Sequence, residues 1–245
     1  MYNLSPSLKM KTVEAIILAG GLGTRLQDVV YDMPKPMAAI NGKPFLSYLL
    51  NELSLQGIES VILSVGYKYK MIEAYFGHRY AGMELKYAIE PEPLGTGGGI
   101  KLAMNQVNGQ RVFLFNGDTL FKVPLSEMET FHLSRKHDLT LAVKEMTDFD
   151  RYGRVEIDNG EVQAFHEKQK VKKGFINGGV YLMEKNILLK GSYPAKFSFE
   201  KDFLEKQIGK VSCGAFAANG YFLDIGIPET YEQAQNDFRR LNSGE

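Results

Sequence analysis

Two cations and a carboxylate stand where the chain would hold them rigidly. Arg25 closes the stretch Gly20-Gly21-Leu22-Gly23-Thr24-Arg25, and ten residues further on Lys35 is clamped between Pro34 and Pro36. Glycines have no Cβ, so the backbone can turn tightly and direct its N–H groups into a concavity that suits an anion, phosphate above all. A glycine turn with two fixed cations describes a polyphosphate cradle. The carboxylate is Asp118, at the end of Asn116-Gly117-Asp118. Just past a buried strand it is well placed for Mg²⁺, a hard cation that prefers oxygen ligands. The same tripeptide would serve as an Asx turn at a strand end. The company of Arg25 and Lys35 favours the metal.

Two common phosphate motifs are excluded. A dinucleotide fingerprint counted from Gly21 needs glycine where Leu26 stands, and a P-loop needs Gly-Lys-Ser/Thr where the chain has Gly42-Lys43-Pro44. A Gly-Gly pair alone is most often just a turn.

The elements that must position these groups follow from periodicity. Ala15 to Ala19 reads as a buried strand that runs into the glycine turn. After the turn signal Asn41-Gly42, Pro44 can open a helix that carries Phe45, Tyr48, Leu49 and Leu53 at helical spacing towards Gly57. Strands are expected over 61–65, 85–89, 111–115 and 139–143, with helices near 67–76, after Gly95, and over 125–136. This alternation, with hairpin signals to follow in the second half, indicates an α/β fold with a Rossmann-like mixed, mainly parallel sheet flanked by helices, whose ligands gather at the carboxyl ends of strands. Glu90-Pro91-Glu92-Pro93-Leu94-Gly95-Thr96-Gly97-Gly98-Gly99 opens one of the helices, and its glycines would let backbone lie against a flat ligand. A glycine-rich helix start in any α/β fold would look the same.

Beyond residue 145 the pattern changes. Pieces at 153–157 and 162–165 flank Asn159-Gly160, a hairpin signal, and 211–217 with 221–223 would form a second hairpin across Asn219-Gly220. Phe175 to Leu182 reads as a strand broken by glycine, a helix is expected around 199–207, and a last one starts after Pro228. With no repeat or linker, residues 11–245 read as one domain behind a loose extension, 1–10. Its two halves, which differ in pattern, cover about 11–145 and about 146–245.

The 29 basic and 29 acidic residues balance, so no footprint for a nucleic-acid backbone is visible and a nucleotide is the better expected ligand. The single Cys213 excludes an internal disulfide and a cysteine-rich metal site, which fits a reducing cytosol. No apolar run approaches the ~20 residues of a membrane helix, and the N-terminus lacks a hydrophobic segment of signal-peptide type. A cytoplasmic protein that engages neither membrane nor nucleic acid is expected.

GGxGTRL joined to PKP at this spacing resembles the signature of the sugar-phosphate nucleotidyltransferases. Further motifs follow in family order: PLGTGG, NGD, Tyr152-Gly153, Glu167-Lys168, Asn177-Gly178-Gly179-Val180-Tyr181 and Asp224-Ile225-Gly226-Ile227-Pro228. Ile227 stands where the family usually has threonine, which puts one hydroxyl in doubt but not Asp224. Taken singly, Glu167-Lys168 could be solvated surface charge and Asp224 a helix cap. The likeness covers nearly the whole chain after residue 11. Many relatives carry a C-terminal left-handed β-helix, and this chain is expected to lack it.

The resemblance implies in-line attack by a sugar 1-phosphate on the α-phosphorus of a nucleoside triphosphate, with pyrophosphate leaving. The attacking phosphate is already largely ionised near neutral pH (second pKa about 6, by analogy with phosphorylated side chains), so no general base is needed. Catalysis is then mostly positioning and electrostatics. Arg25, Lys35, Asp118, Lys168 and Asp224 would be the catalytic set, with Asp118 and Asp224 holding Mg²⁺. Leu18, Ala19, Gly20, Gly21, Gly23, Thr24 and Arg25 would bind the nucleotide together with Glu90, Pro93, Leu94, Gly95, Thr96 and Gly117. Asn116, Tyr152, Gly153, Glu167, Lys168, Asn177 and Gly178 would bind the sugar phosphate.

Within the family the stretches IILAGGLGTRL, MPKPMAAINGKPFL, EPLGTGGGIK, DFDRYGRVEID, FINGGVYL and FLDIGIPE are most similar to the short bacterial D-glycero-α-D-manno-heptose 1-phosphate guanylyltransferases. GTP, a heptose 1-phosphate and a GDP-heptose product for a capsule or S-layer glycan are the corresponding expectations. A mannose 1-phosphate guanylyltransferase and a hexose 1-phosphate uridylyl- or thymidylyltransferase remain alternatives, since one exocyclic carbon discriminates by only ~1–3 kcal/mol. A non-catalytic nucleotide-sugar-binding homologue is a reading of another class, disfavoured because all five catalytic candidates are present. Oligomeric state is left open, a homodimer among the options.

Overall fold

The computed structural model describes residues 10–21, 32–166 and 168–243. The first apolar run forms β1 (Glu14–Leu18), with Ala15 and Ile17 buried on one face and Ile16 on the other. Burial on both faces is what a central parallel strand requires. Lys35–Met37 form a short 3-10 turn, and β2 (Ala39–Ile40) and β3 (Lys43–Pro44) a small hairpin. Pro44 therefore ends a strand, and α1 (Phe45–Leu55) starts one residue later than the reading at Pro44.

The alternation then proceeds through β4 (Ser60–Val65), α2 (Tyr69–Phe76), β5 (Arg79–Tyr80), β6 (Met83–Ile89), α3 (Gly95–Met104) and β7 (Arg111–Asn116). β8 (Thr119–Phe121), α4 (Leu125–Arg135), β9 (Leu139–Phe149), β10 (Arg154–Asp158), β11 (Glu161–His166) and β12 (Val171–Glu184) follow. The chain continues through α5 (Asn186–Leu189), a π-helical segment (Phe199–Leu204), α6 (Glu205–Gln207), β13 (Cys213–Ala217), β14 (Phe222–Asp224) and α7 (Pro228–Ser243).

Ten strands form one sheet in the order β10-β11-β13-β9-β12-β7-β1-β4-β6-β5. β7, β1, β4 and β6 run parallel, in a register that places Ile16 beside both Ile62 and Leu114. The other half is different: β12 is antiparallel to both β7 and β9, β10 to β11, and only β13 runs parallel to β9. The sheet is mixed, as expected, but mainly parallel in its first half alone. Parallel neighbours need a crossover of a dozen or more residues, whereas a hairpin turn can join only antiparallel strands. The first hairpin forms as read, with Asn159 and Gly160 both at positive φ (50° and 82°).

The second expected hairpin does not form. β13 lies in the large sheet, and β14 leaves to pair antiparallel with β8, Asp224 opposite Thr119. Gly220 marks a close backbone approach here: a Cβ on it would lie 1.9 Å from the Lys122 carbonyl oxygen. That crossing makes the glycine necessary and sends the chain to β8.

The sheet separates two apolar layers. α1 covers one face with Phe45, Leu46, Leu49, Leu50 and Leu53, joined by Ala234 and Phe238 of α7. Ile100, Ala103 and Met104 of α3 cover the other, with Phe199 and Phe203 of the π-helical segment. Among the described residues no helix is long and apolar enough to cross a membrane.

Candidate active site

β1 and β7 end side by side, Leu18 opposite Asn116. The Gly117 N–H donates to the Leu18 carbonyl at 3.0 Å, and a Cβ on Gly117 would stand 2.4 Å from that oxygen. Only backbone fits between the strand ends, and Asp118 is delivered immediately beyond. The β8–β14 pairing brings Asp224 to the same place, with the Ile225 N–H donating to the Asp118 carbonyl at 2.9 Å.

Lys35 reaches this point from the 3-10 turn. Its ammonium is ion-paired with Asp118, which also accepts from the Thr119 hydroxyl at 3.1 Å. Burial works to raise the Asp118 carboxyl, but the adjacent Lys35 charge and these hydrogen bonds outweigh it and hold the group below its ordinary value. Asp224 accepts from Arg151 Nη2 at 3.0 Å, from the Tyr152 hydroxyl and from the Gly226 N–H at 2.9 Å. Burial, then the Asp224 carboxylate, push the Tyr152 phenol well above its usual range, so it stays a donor.

Around this cluster opens a cleft of about 400 Å³. Lys35, Asp118 and Asp224 line it together with Asn116, Gly117, Tyr152, Gly153, Lys168 and Asn177. A second hollow of about 680 Å³ is lined by Gly20, Glu90, Pro93 and Gly95, and shares Leu18, Gly21 and Thr96 with the first. The first cleft draws its walls from both halves of the chain and the second from the first half, and the two meet at the end of β1.

Three of the expected contact residues do not line either chamber. Ala19 is buried below, its N–H on the Ser64 carbonyl at 2.8 Å. Leu94 is packed inward, donating its N–H to Glu90 Oε2 at 3.0 Å. Gly178 faces the Phe121 ring, which a Cβ would meet at 2.4 Å. Gly23, Thr24, Arg25 and Glu167 lie outside the described residues. Gly97 and Gly98 of the glycine run pack against Phe197 and Ala195 of the protein itself, so their close approach is to chain and not to a flat ligand.

The cleft also contains residues not singled out from sequence. Arg151 directly precedes Tyr152-Gly153 in sequence and lines the cleft with them. Glu200 comes from the π-helical segment and accepts from the Thr96 hydroxyl at 2.7 Å. Nothing local in sequence marks it, because its place depends on that segment docking against α3.

Asp118 and Asp224 are hard oxygen donors on one cleft wall, and Asp118 is held ionised. Among the described residues no group of three or more His, Cys, Asp or Glu gathers as a complete cation site. Mg²⁺ characteristically takes one or two carboxylates and completes its shell with substrate phosphates and water. The residues fit such an ion.

A lysine and two carboxylates gathered in a two-chambered cleft, beside the carboxyl ends of parallel strands, are what an α/β enzyme that handles nucleotides presents. Comparison with known proteins narrows the class. The chain belongs to the Nucleotidyl transferase family, whose profile matches residues 14–240. It is 52% identical to a D-glycero-alpha-D-manno-heptose 1-phosphate guanylyltransferase of Aneurinibacillus thermoaerophilus, over 93% of this chain and 99% of that one. A protein of the same description from Campylobacter jejuni is 46% identical over 89% of this chain and 97% of its own. The crystal structure of HddC from Yersinia pseudotuberculosis complexed with GMP-PN superposes with a TM-score of 0.83 at 39% identity, over 93% of this chain and all of that one.

Proposed function

We propose that this nucleotidyltransferase transfers GMP from GTP to D-glycero-α-D-manno-heptose 1-phosphate, releasing pyrophosphate and GDP-heptose. The 52% identity to a guanylyltransferase of that description, over 93% of this chain and 99% of that one, carries the reading. The two chambers support it, because one can take a nucleoside and the other a sugar phosphate with the reacting phosphates between them. A sugar-phosphate oxygen attacks the α-phosphorus, and a P–O bond forms. The bond to the β-phosphate oxygen breaks, and pyrophosphate leaves with the electron pair.

Gly20, Gly21, Glu90, Pro93, Gly95 and Thr96 would cradle base and ribose, with Leu18 and Gly117 at the α-phosphate. Lys35 would align the triphosphate, and Lys168 would offset the charge of the incoming sugar phosphate. Gly23 and Thr24 would bind the nucleotide, and Arg25 is assigned to the charge that develops on transfer. Asn116, Tyr152, Gly153, Glu167 and Asn177 would hold the sugar hydroxyls. Asp118 and Asp224 would hold Mg²⁺, which supplies Lewis acidity at the α-phosphate when bound. With attack by a phosphate already ionised, no residue has to remove a proton. The continuous sheet favours one domain that joins both halves, working in the cytoplasm where GTP is made.

The test is pyrophosphate release with Mg²⁺, crossing GTP, UTP, dTTP and CTP against heptose, mannose and glucose 1-phosphates. Turnover with GTP and the heptose phosphate should exceed every other pair. Preference for mannose 1-phosphate or another base would refute the substrate and keep the transfer. No release from any pair would refute the transfer.

A further inference from the structure

We propose that Arg151 is a positioning residue for the transfer, aiming the Asp224 carboxylate through the oxygen it shares with Tyr152. The inference rests on the place of Asp224 in the reaction proposed above. The two oxygens of Asp224 have different surroundings. Oδ2 takes both the Arg151 guanidinium, at 3.0 Å, and the Tyr152 hydroxyl. Oδ1 takes the Gly226 N–H at 2.9 Å. It faces the Lys35 side of the cleft: a Cβ on Gly226 would lie 2.5 Å from Oδ1 and 3.6 Å from Lys35 Nζ. Holding Oδ2 therefore turns Oδ1 towards Lys35 and Asp118.

Arg151 is itself held. Its guanidinium lies 5.3 Å from the centre of the Tyr152 ring and donates to the Tyr152 hydroxyl at 2.8 Å. The Tyr152 ring meets Phe222 edge to face at 5.4 Å, and Phe222 meets Phe121 likewise at 5.5 Å. Phe222 and Asp224 lie on the same short strand, so the segment before β10 and the strand bearing the carboxylate are fixed as one unit.

Charge gives the second reason. Two carboxylates converge here, and among the described residues Lys35 forms an ion pair with Asp118 and Arg151 with Asp224. The Asp224 side chain is only 15% exposed, so water cannot fully replace the guanidinium. A carboxylate that loses such a partner loses its aim, and small misplacements near reacting atoms are expensive in rate.

R151M, R151K and D224N would be compared by steady-state kinetics with Mg²⁺ and the nucleotide and sugar phosphate that the substrate screen identifies. Circular dichroism melts would check folding. R151M should lower kcat on the order of 10- to 100-fold, the scale of a charge-assisted hydrogen bond, with both KM values within about threefold. R151K should recover part of kcat. A raised KM for the sugar phosphate with kcat intact would make Arg151 a direct substrate ligand and overturn the proposal. So would wild-type kinetics in R151M while D224N is inactive. D224N at the wild-type rate would refute the site reading itself. Should R151M fail to fold, R151Q carries the same split.

Discussion

The glycine between β7 and Asp118 offers the most exacting test of how the fold makes the site. In Gly117→Ala the added methyl would stand 2.4 Å from the Leu18 carbonyl oxygen, where real Cβ contacts essentially never fall below 3.0 Å. The Leu18 carbonyl carbon, at 3.1 Å, and the Ile17 Cγ2 methyl, at 3.3 Å, close the other sides. The two strand ends must separate by roughly half an ångström or more, which strains a close-packed core by about 1–3 kcal/mol. The Gly117 N–H bond to Leu18 stretches with them and forfeits about 1 kcal/mol more. A loss of about 2–4 kcal/mol lowers Tm by roughly 4–16 °C in a chain of this size. Asp118 is carried on the displaced backbone, and a misplacement approaching 1 Å can reduce turnover on the order of 100-fold. Thermal melts and pyrophosphate release at a temperature where the variant is fully folded separate the two effects. A variant that melts and turns over like the wild type would refute the claim that this contact sets the position of Asp118.

Other outcomes follow from the same geometry. Asp118→Asn should reduce turnover by about 100-fold or more while stability changes by no more than about 1 kcal/mol, since the Lys35 pair is partly open to water; normal turnover would remove Asp118 from the reaction. Thr96→Val removes the bond to Glu200 and leaves the Phe199 N–H without its acceptor, so it should cost about 2 kcal/mol and about 4–8 °C in Tm; an unchanged melt would show that this tie between α3 and the π-helical segment contributes nothing. His132 and His137 lie under β9, where burial holds both below the ordinary histidine value of 6.5 despite the nearby Glu184 and Glu161. The unfolded chain then binds more protons than the folded one below about pH 6.5, so stability should fall as pH drops from there towards the folded-state values. His137→Gln should flatten that slope in melts between pH 7.5 and 5.0, and an unchanged slope would place the sensitivity elsewhere.

Much of the site was legible in the chain because its parts are local. An apolar run into glycines, a lysine between prolines and Asn-Gly-Asp behind a strand each state their own geometry within a few residues. The Asn159-Gly160 hairpin was legible for the same reason, since both residues accept the positive φ its turn demands. The Asn219-Gly220 signal misled, because glycine serves a close approach as readily as a turn, and the difference lies in Lys122, nearly a hundred residues earlier. Gly97 and Gly98 instead fit the plainer reading of a glycine-rich helix start, since they pack against Phe197 and Ala195 of the chain.

What the sequence by itself determined is the chemistry available: cations for phosphate, carboxylates for a hard cation, and strands to end beside them. Only the tertiary structure decided which of these groups meet. Asp118 and Asp224 converge because β14 abandons its sequence neighbour for β8, and Arg151 and Glu200 enter the cleft because distant segments dock against its walls. Such pairings depend on backbone hydrogen bonds and apolar surfaces matched across the whole chain, and no window of neighbouring residues contains them.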